Sequence, residues 1–528
     1  MGTLNPRTAT TFFRGSQPGC NEHRVSYALL PLRPGSDLPS TAAQRRNSTP
    51  ELRKAKYLMS THATLRSRVS TACLAAAPLL LSFFLLIGCG MTSGNQPVSA
   101  NTGSAFVIGS DAPLASVVSF TTTVQSIDAI DATGKSTSLL SGTPTVDWAR
   151  YNGLKTLLDL NNVPAGTYTQ ISVTFATSPA PSIGYLQTGS GAPTIATIPA
   201  TFTTTTVTQT LANPLVVSQT GPVGIHLDFR LDKSIEVDSN GQITGSVDPT
   251  LDIKAIGPSD PDGYVDEFDA GVVSVDQTGQ SFVIQGPHGR NFTVQVNGQT
   301  EWDNGEGLAN LTATSVVQIS GTIDHADSTI DADEVAILTQ DGFYAAGQVT
   351  YVQPSSGVAS DFDLYVRGTL PASGDGVTDG QIAQVDLTGS EKFFIYWMHN
   401  QFTQFLFNPS ALVPGQHVSV GGTLAGAANG NALSVKRVVL RNWGFNGTVV
   451  ANSVNTSSST FQMNISGFAG LLVPGQPVTV FVAGGTKYRD GFNALSDVST
   501  SIRVVGLLIK DPTSGKSVIL ARYIDDLN

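Results

Sequence analysis

Along most of this chain apolar and polar positions alternate every second residue in short runs bounded by Gly, Pro, Asn, Asp or Ser, which predicts short β-strands joined by turns. Such runs include Ala105-Phe106-Val107-Ile108, Val117-Val118-Ser119-Phe120-Thr121, Ile171-Ser172-Val173-Thr174-Phe175 and Ile225-His226-Leu227-Asp228-Phe229. Several short strands without crossover helices predict an antiparallel sandwich over residues 104–258. The 3.6-residue spacing of an amphipathic helix is missing beyond residues 70–87, so the fold class expected is all-β, with a helix only in the N-terminal signal segment.

Beyond residue 270 the pattern repeats three times. Gly271-Val272-Val273 leads to Phe282-Val283-Ile284, Gly347-Gln348-Val349 to Phe362-Asp363-Leu364, and Gly447-Thr448-Val449 to Phe461-Gln462-Met463. Each unit closes on a Gly-containing strand: Ile319-Ser320-Gly321, Val420-Gly421-Gly422 and Val504-Val505-Gly506. Thr300-Glu301-Trp302-Asp303-Asn304-Gly305 in the first unit is echoed by Thr486-Lys487-Tyr488-Arg489-Asp490-Gly491 in the third, and the middle unit lacks an evident counterpart. About five strands per unit suit small β-barrels, with an OB-like topology as the expectation, over 271–340, 341–442 and 443–528. Residues 259–270 read as an acidic linker ahead of them.

Charge divides the chain. Residues 1–88 hold 11 of the 29 Lys and Arg but only 3 of the 40 Asp and Glu, leaving 18 basic against 37 acidic residues beyond, a net charge of −19. That balance repels phosphate backbones, so nucleic acid is not an expected partner. Cys20, Cys73 and Cys89 are the three cysteines, so no disulfide or thiolate metal site can form beyond residue 89.

Arg66 and Arg68 precede an apolar run from Ala72 to Ile87, the order of an export signal, and the run ends in Leu86-Ile87-Gly88-Cys89. This ending resembles the bacterial lipobox, in which the chain is cut between Gly88 and Cys89 and the Cys89 thiol is alkylated with diacylglycerol. The resemblance implies a signal peptide over 59–88, a polar tether over 89–103 and a bilayer anchor. Gly90 rather than Asp after the cysteine leaves the outer membrane, on its periplasmic face or the cell surface, open. A transmembrane helix is the other reading, short for a core of roughly 30 Å. Met59 lies a normal signal-peptide distance before Cys89, so translation starting there would make residues 1–58 an untranslated extension; the alternative is a cytoplasmic extension binding an acidic partner through Arg45-Arg46 and Arg53-Lys54-Ala55-Lys56.

Two motifs place the exported part. Ser110-Asp111-Ala112-Pro113, and Val163-Pro164-Ala165-Gly166-Thr167-Tyr168 with its tight turn, resemble an exported lipoprotein family known as domain of unknown function 4382, which implies a prealbumin- or immunoglobulin-like sandwich and no catalytic residues. The three later units, with a Gly-Val opening strand and a Val-x-Val-x-Gly close, resemble domain of unknown function 5666.

Local catalytic signatures are absent: no Gly-x-Ser-x-Gly, no phosphate loop, no His-Glu-x-x-His. His226, His288, His325, His399 and His417 are scattered singly. Asp260, Asp262, Asp266 and Glu267 crowd around Gly263 and make a candidate structural Ca²⁺ site, against the reading of a solvated linker. Tyr396, Trp397 and Phe402 belong to the densest aromatic stretch, a candidate sugar- or peptide-binding face, against the reading of a barrel core. The function expected is a non-enzymatic envelope lipoprotein with a structural, adhesive or recognition role. A glycan-binding lipoprotein and a secreted hydrolase without a local motif are the alternatives.

Overall fold

The computed structural model describes residues 102–528 except 113, 115–116, 188–193, 220, 222, 240–241, 259–262, 325–327, 341, 371–376, 396–401, 425–431, 490 and 528. It is all-β, and the described residues lie in one compact unit. Among the described residues no helix is long and apolar enough to cross a membrane.

The first module is the expected sandwich. One sheet orders Leu251–Ile256, Val223–Arg230, Thr102–Ala112 and Thr156–Pro164, with Thr102–Ala112 running parallel to Val223–Arg230. The facing sheet orders Thr206–Val217, Gly166–Phe175, Val117–Asp131, Ser182–Gln187 and Thr194–Pro199. Phe120, Phe175, Phe229 and Trp148 fill the space between them, with Phe229 meeting the other three rings at 5.2–5.5 Å. The Pro-Ala-Gly turn behaves as its residues predict: Tyr168 is buried and its hydroxyl donates back to the Pro164 carbonyl at 2.8 Å, pinning the turn to the strand that follows.

Thr102–Ala112 is apolar at successive positions because both its faces are covered. Ala105 and Val107 enter the sandwich core, whereas Phe106 and Ile108 join Leu157, Leu160 and Ile256 against the first barrel.

Three five-stranded units follow with one topology. Their strands are Tyr264–Asp276, Ser281–Gln285, Asn291–Gln295, Val316–Asp324 and Thr329–Thr339; Phe343–Gln353, Asp361–Leu370, Ile382–Asp386, His417–Leu424 and Ala432–Arg441; and Trp443–Val449, Thr460–Ile465, Val478–Arg489, Ser501–Lys510 and Ser517–Asp526. In each, the first strand pairs with the second and the fourth, the third lies parallel to the fifth, and the fifth pairs with the fourth, which returns the ring to its start. This cyclic order, 1-2-3-5-4, is that of an OB-type barrel.

The repeated closing glycine has a steric cause. Gly321, Gly422 and Gly506 each sit at a register shift in the fourth strand, where a Cβ would fall against the backbone carbonyl of Asp331, Ser434 or Leu520 on the fifth. Only glycine permits that approach, and the bulge turns the strand around the barrel.

Two details differ from the sequence reading. The first barrel starts at Tyr264, so most of the expected acidic linker is strand. The middle unit does carry the segment it seemed to lack: Lys392–Ile395 lies parallel to Arg437–Leu440, as Glu301–Trp302 lies against Glu334–Val335 and Lys487–Arg489 against Tyr523–Asp525. The aromatic run Phe393-Phe394-Ile395 hid the equivalence.

Candidate functional site: a polar junction shared by four modules

The short strand Thr145–Asp147 pairs with the sandwich strand Val117–Asp131 and leads into a single 3₁₀ turn, Trp148–Tyr151. Trp148 anchors the turn, fully buried, its Nε1–H donating to Thr122 Oγ1 at 2.8 Å. The residues after it form a tongue that meets all three barrels. The Ala149 carbonyl accepts from Arg367 of the second barrel at 3.1 Å, Arg150 lies 3.6 Å from Asp269 of the first, and Asn152 Nδ2 donates to the Gly444 carbonyl of the third at 2.9 Å. Glycines make room for it. A Cβ on Gly368 would meet the Arg150 guanidinium, and one on Gly444 would meet the Asn152 carbonyl.

Opposite the tongue lies the start of the first barrel's opening strand. A register shift between Val265 and Phe268, with Glu267 at φ 52°, breaks the ordinary alternation and lets the adjacent carboxylates Asp266 and Glu267 meet one guanidinium. Arg522 donates to Glu267 Oε1 at 2.5 Å and to Asp266 Oδ1 at 3.2 Å. Asn442 Nδ2 donates to the same Glu267 oxygen at 2.5 Å. Asp269 accepts from Arg441 at 2.9 Å, from Tyr344 OH at 2.5 Å and from Gln318 at 3.0 Å. Arg441 also donates to the Tyr344 hydroxyl at 2.7 Å.

These groups are nearly dry, Arg441 being 3% and Asp269 8% exposed. Burial pushes the Glu267 carboxyl above its usual range, against the pull of Arg522 and Arg441. Burial, reinforced by Arg441, holds His417 well below its usual value, and its ring packs on Trp443 at 4.7 Å. Beside this network is a cavity of about 30 Å³ whose lining includes Arg150, Tyr151, Glu267, Asp269, His417 and Arg441.

The residues singled out in the sequence fall as follows. Of the Ca²⁺ candidates, Asp266 and Glu267 face a guanidinium, while Asp260 and Asp262 lie outside the described residues. Among the described residues no three His, Cys, Asp or Glu side chains stand together as metal ligands. Phe402 is 7% exposed and packs edge-on against Phe405 and, across the seam, Phe481 of the third barrel, both at 6.4 Å. Tyr396 and Trp397 lie outside the described residues, as do Gly88 and Cys89.

One triad-like set does occur in the sandwich. Ser110 Oγ donates to Asp228 Oδ1 at 2.7 Å and stands 2.8 Å from His226 Nε2. A serine has one proton, so with Asp228 receiving it the histidine is the donor to Ser110, the reverse of the serine-to-histidine bond of a catalytic triad. The order is the wrong one for a nucleophile.

Two family models match the chain. Residues 102–244 match the family described as domain of unknown function 4382, and residues 263–336 match domain of unknown function 5666. The first match stops short of Leu251–Ile256, the edge strand of the four-stranded sheet. The second covers one barrel, and the other two share its strand order. No curated protein matches the chain.

Arg150, Asp269, Tyr344, Arg441 and Arg522 were not singled out from the sequence. A signal was there: an arginine follows an apolar run in the fifth strand of two successive units, Arg441 at the end of Ala432–Arg441 and Arg522 within Ser517–Asp526.

Proposed function

We propose that this chain is a lipid-anchored protein of the bacterial cell envelope, whose exported part is a four-module scaffold with a structural, adhesive or recognition role and no catalysis. The observation that carries the scaffold reading is the tongue Ala149–Asn152, which bonds to three barrels in four consecutive residues. Barrel surfaces free to bind ligands in isolated modules are here given to neighbours. Tyr365 and Ile382 of the second barrel pack with Val118 and Leu186 of the sandwich and Phe468 of the third barrel. The anchor rests on Arg66, Arg68, the apolar run and Leu86-Ile87-Gly88-Cys89.

The test is Cys89→Ser in the native cell, followed by labelled-palmitate incorporation and membrane fractionation. The expected outcome is loss of label and accumulation of an uncleaved precursor, with the same processing restored in a Cys89 chain started at Met59. Unchanged membrane partition and gel mobility in Cys89→Ser would remove the anchor from the proposal.

A further inference from the structure

Two buried acceptors on residues that line the junction cavity have no donor among the described residues. His417 Nδ1–H donates to the Asn442 carbonyl at 3.1 Å, so in the neutral ring Nε2 is a bare acceptor, and nothing reaches it. Glu267 gives Oε1 to Arg522 and Asn442, while Oε2 is buried without a partner. Both residues line the same cavity. Burying an acceptor unmet costs about 1–3 kcal/mol, so two beside one space call for an occupant that donates.

A histidine and a glutamate on one cavity suggest a transition-metal ion, and the surrounding charge argues against one. Arg441, Arg367 and Arg150 raise the potential at His417, and Arg522 and Arg441 do so at Glu267. A dication there would face guanidiniums already holding the nearby carboxylates. The volume of about 30 Å³ exceeds the roughly 10–15 Å³ that one water needs and leaves no place for a larger organic molecule.

We propose that this cavity is a built hydration site: one or two waters donate to Glu267 Oε2 and His417 Nε2, and the site rejects divalent metal despite its His–Glu lining. The bound water completes the junction between the sandwich, the first barrel and the second.

The experiment is a high-resolution crystal structure of the exported unit, residues 89–528, with parallel crystals soaked in Zn²⁺ and Mn²⁺ and calorimetric titration of both metals in solution. Expected are density peaks about 2.6–3.2 Å from both acceptors, no anomalous signal in the cavity, and the same absence of junction binding in wild type and His417→Phe. A metal peak on His417 Nε2, metal binding that His417→Phe abolishes, an empty cavity, or a direct His417–Glu267 hydrogen bond would each overturn the proposal. The wild-type density decides it even where the variant does not fold.

Discussion

The modules are joined by two unlike seams. Around Asp269 the contact is polar and directional: guanidinium, phenol and carboxamide groups from different barrels converge on one carboxylate. Between the second and third barrels it is apolar, with Phe402, Phe405 and Phe407 packed among Phe481, Leu507, Ile509, Val518 and Leu520. The apolar seam supplies non-directional stabilisation that tolerates changes of shape. The polar junction contributes less net stability, because desolvation offsets much of its attraction, but it is strongly destabilised when one partner is lost. Its directional bonds need particular partners at particular distances, which the aromatic seam does not.

The largest effect should follow from Asp269→Ala, which leaves Arg441 and Arg150 facing a buried void of charge. Breaking a buried pair costs about 3–5 kcal/mol. Urea unfolding of residues 89–528 measures it, and in a double-mutant cycle Arg441→Ala should add little once Asp269 is gone. Independent, additive losses would show that the junction is not one network.

Phe405→Ala should cost nearly as much, about 3 kcal/mol, by opening a cavity beside Phe402 and Phe481. The two variants should differ in kind. Phe405→Leu should recover most of the loss, since an apolar seam repacks, while Asp269→Asn should recover little, because a neutral amide leaves Arg441 without its counter-charge. Equal recovery at both positions would erase the distinction.

Gly444→Ala should have a smaller effect, roughly 1–3 kcal/mol, from overpacking its methyl against the Asn152 carbonyl. Gly271→Ala is the control: a Cβ there meets nothing within 4 Å, and thermal midpoints should separate the two variants clearly.

Much of this architecture was legible in the sequence, for reasons that particular residues make plain. Period-two alternation gave the strands, and the recurring closing glycine gave the barrel repeat, because a bulge against a carbonyl leaves glycine no substitute. The junction was not legible. Asp266, Glu267 and Asp269 are adjacent in sequence, but Arg522 and Arg441 reach them from more than 170 positions away. Asp266 and Glu267, two of the four carboxylates read as a cation site or a solvated linker, have an arginine of the third barrel as counter-charge, while Asp260 and Asp262 lie outside the described residues. Of the aromatic stretch, Phe402 and Phe405 bury between two barrels, and local composition carries no sign of whether an aromatic covers a core, a seam or a ligand.

A pH-dependent effect concerns Asp111, at the seam of sandwich and third barrel. Its backbone bridges to Asn152, and its carbonyl accepts from Arg503 at 3.4 Å, yet neither carboxyl oxygen has a hydrogen-bond partner, nor does Asn152 Oδ1. Burial, followed by Asp228, pushes the Asp111 carboxyl well above its usual range; Arg503 opposes this, and Asp147 and Asp232 add to it. The sign follows by linkage. Above the unfolded carboxylate pKa of about 3.9 and below the raised folded value, the unfolded state is ionised and the folded state holds a proton. Stability at this residue is thus full at acid pH and falls as pH rises, by at most about 1.4 kcal/mol per pH unit across that window. Asp111→Asn is neutral throughout. It should match wild type near pH 4, exceed it at pH 7, and flatten the curve between. A variant less stable than wild type at pH 7 would show that Asp111 is ionised and that Arg503, not a proton, balances it.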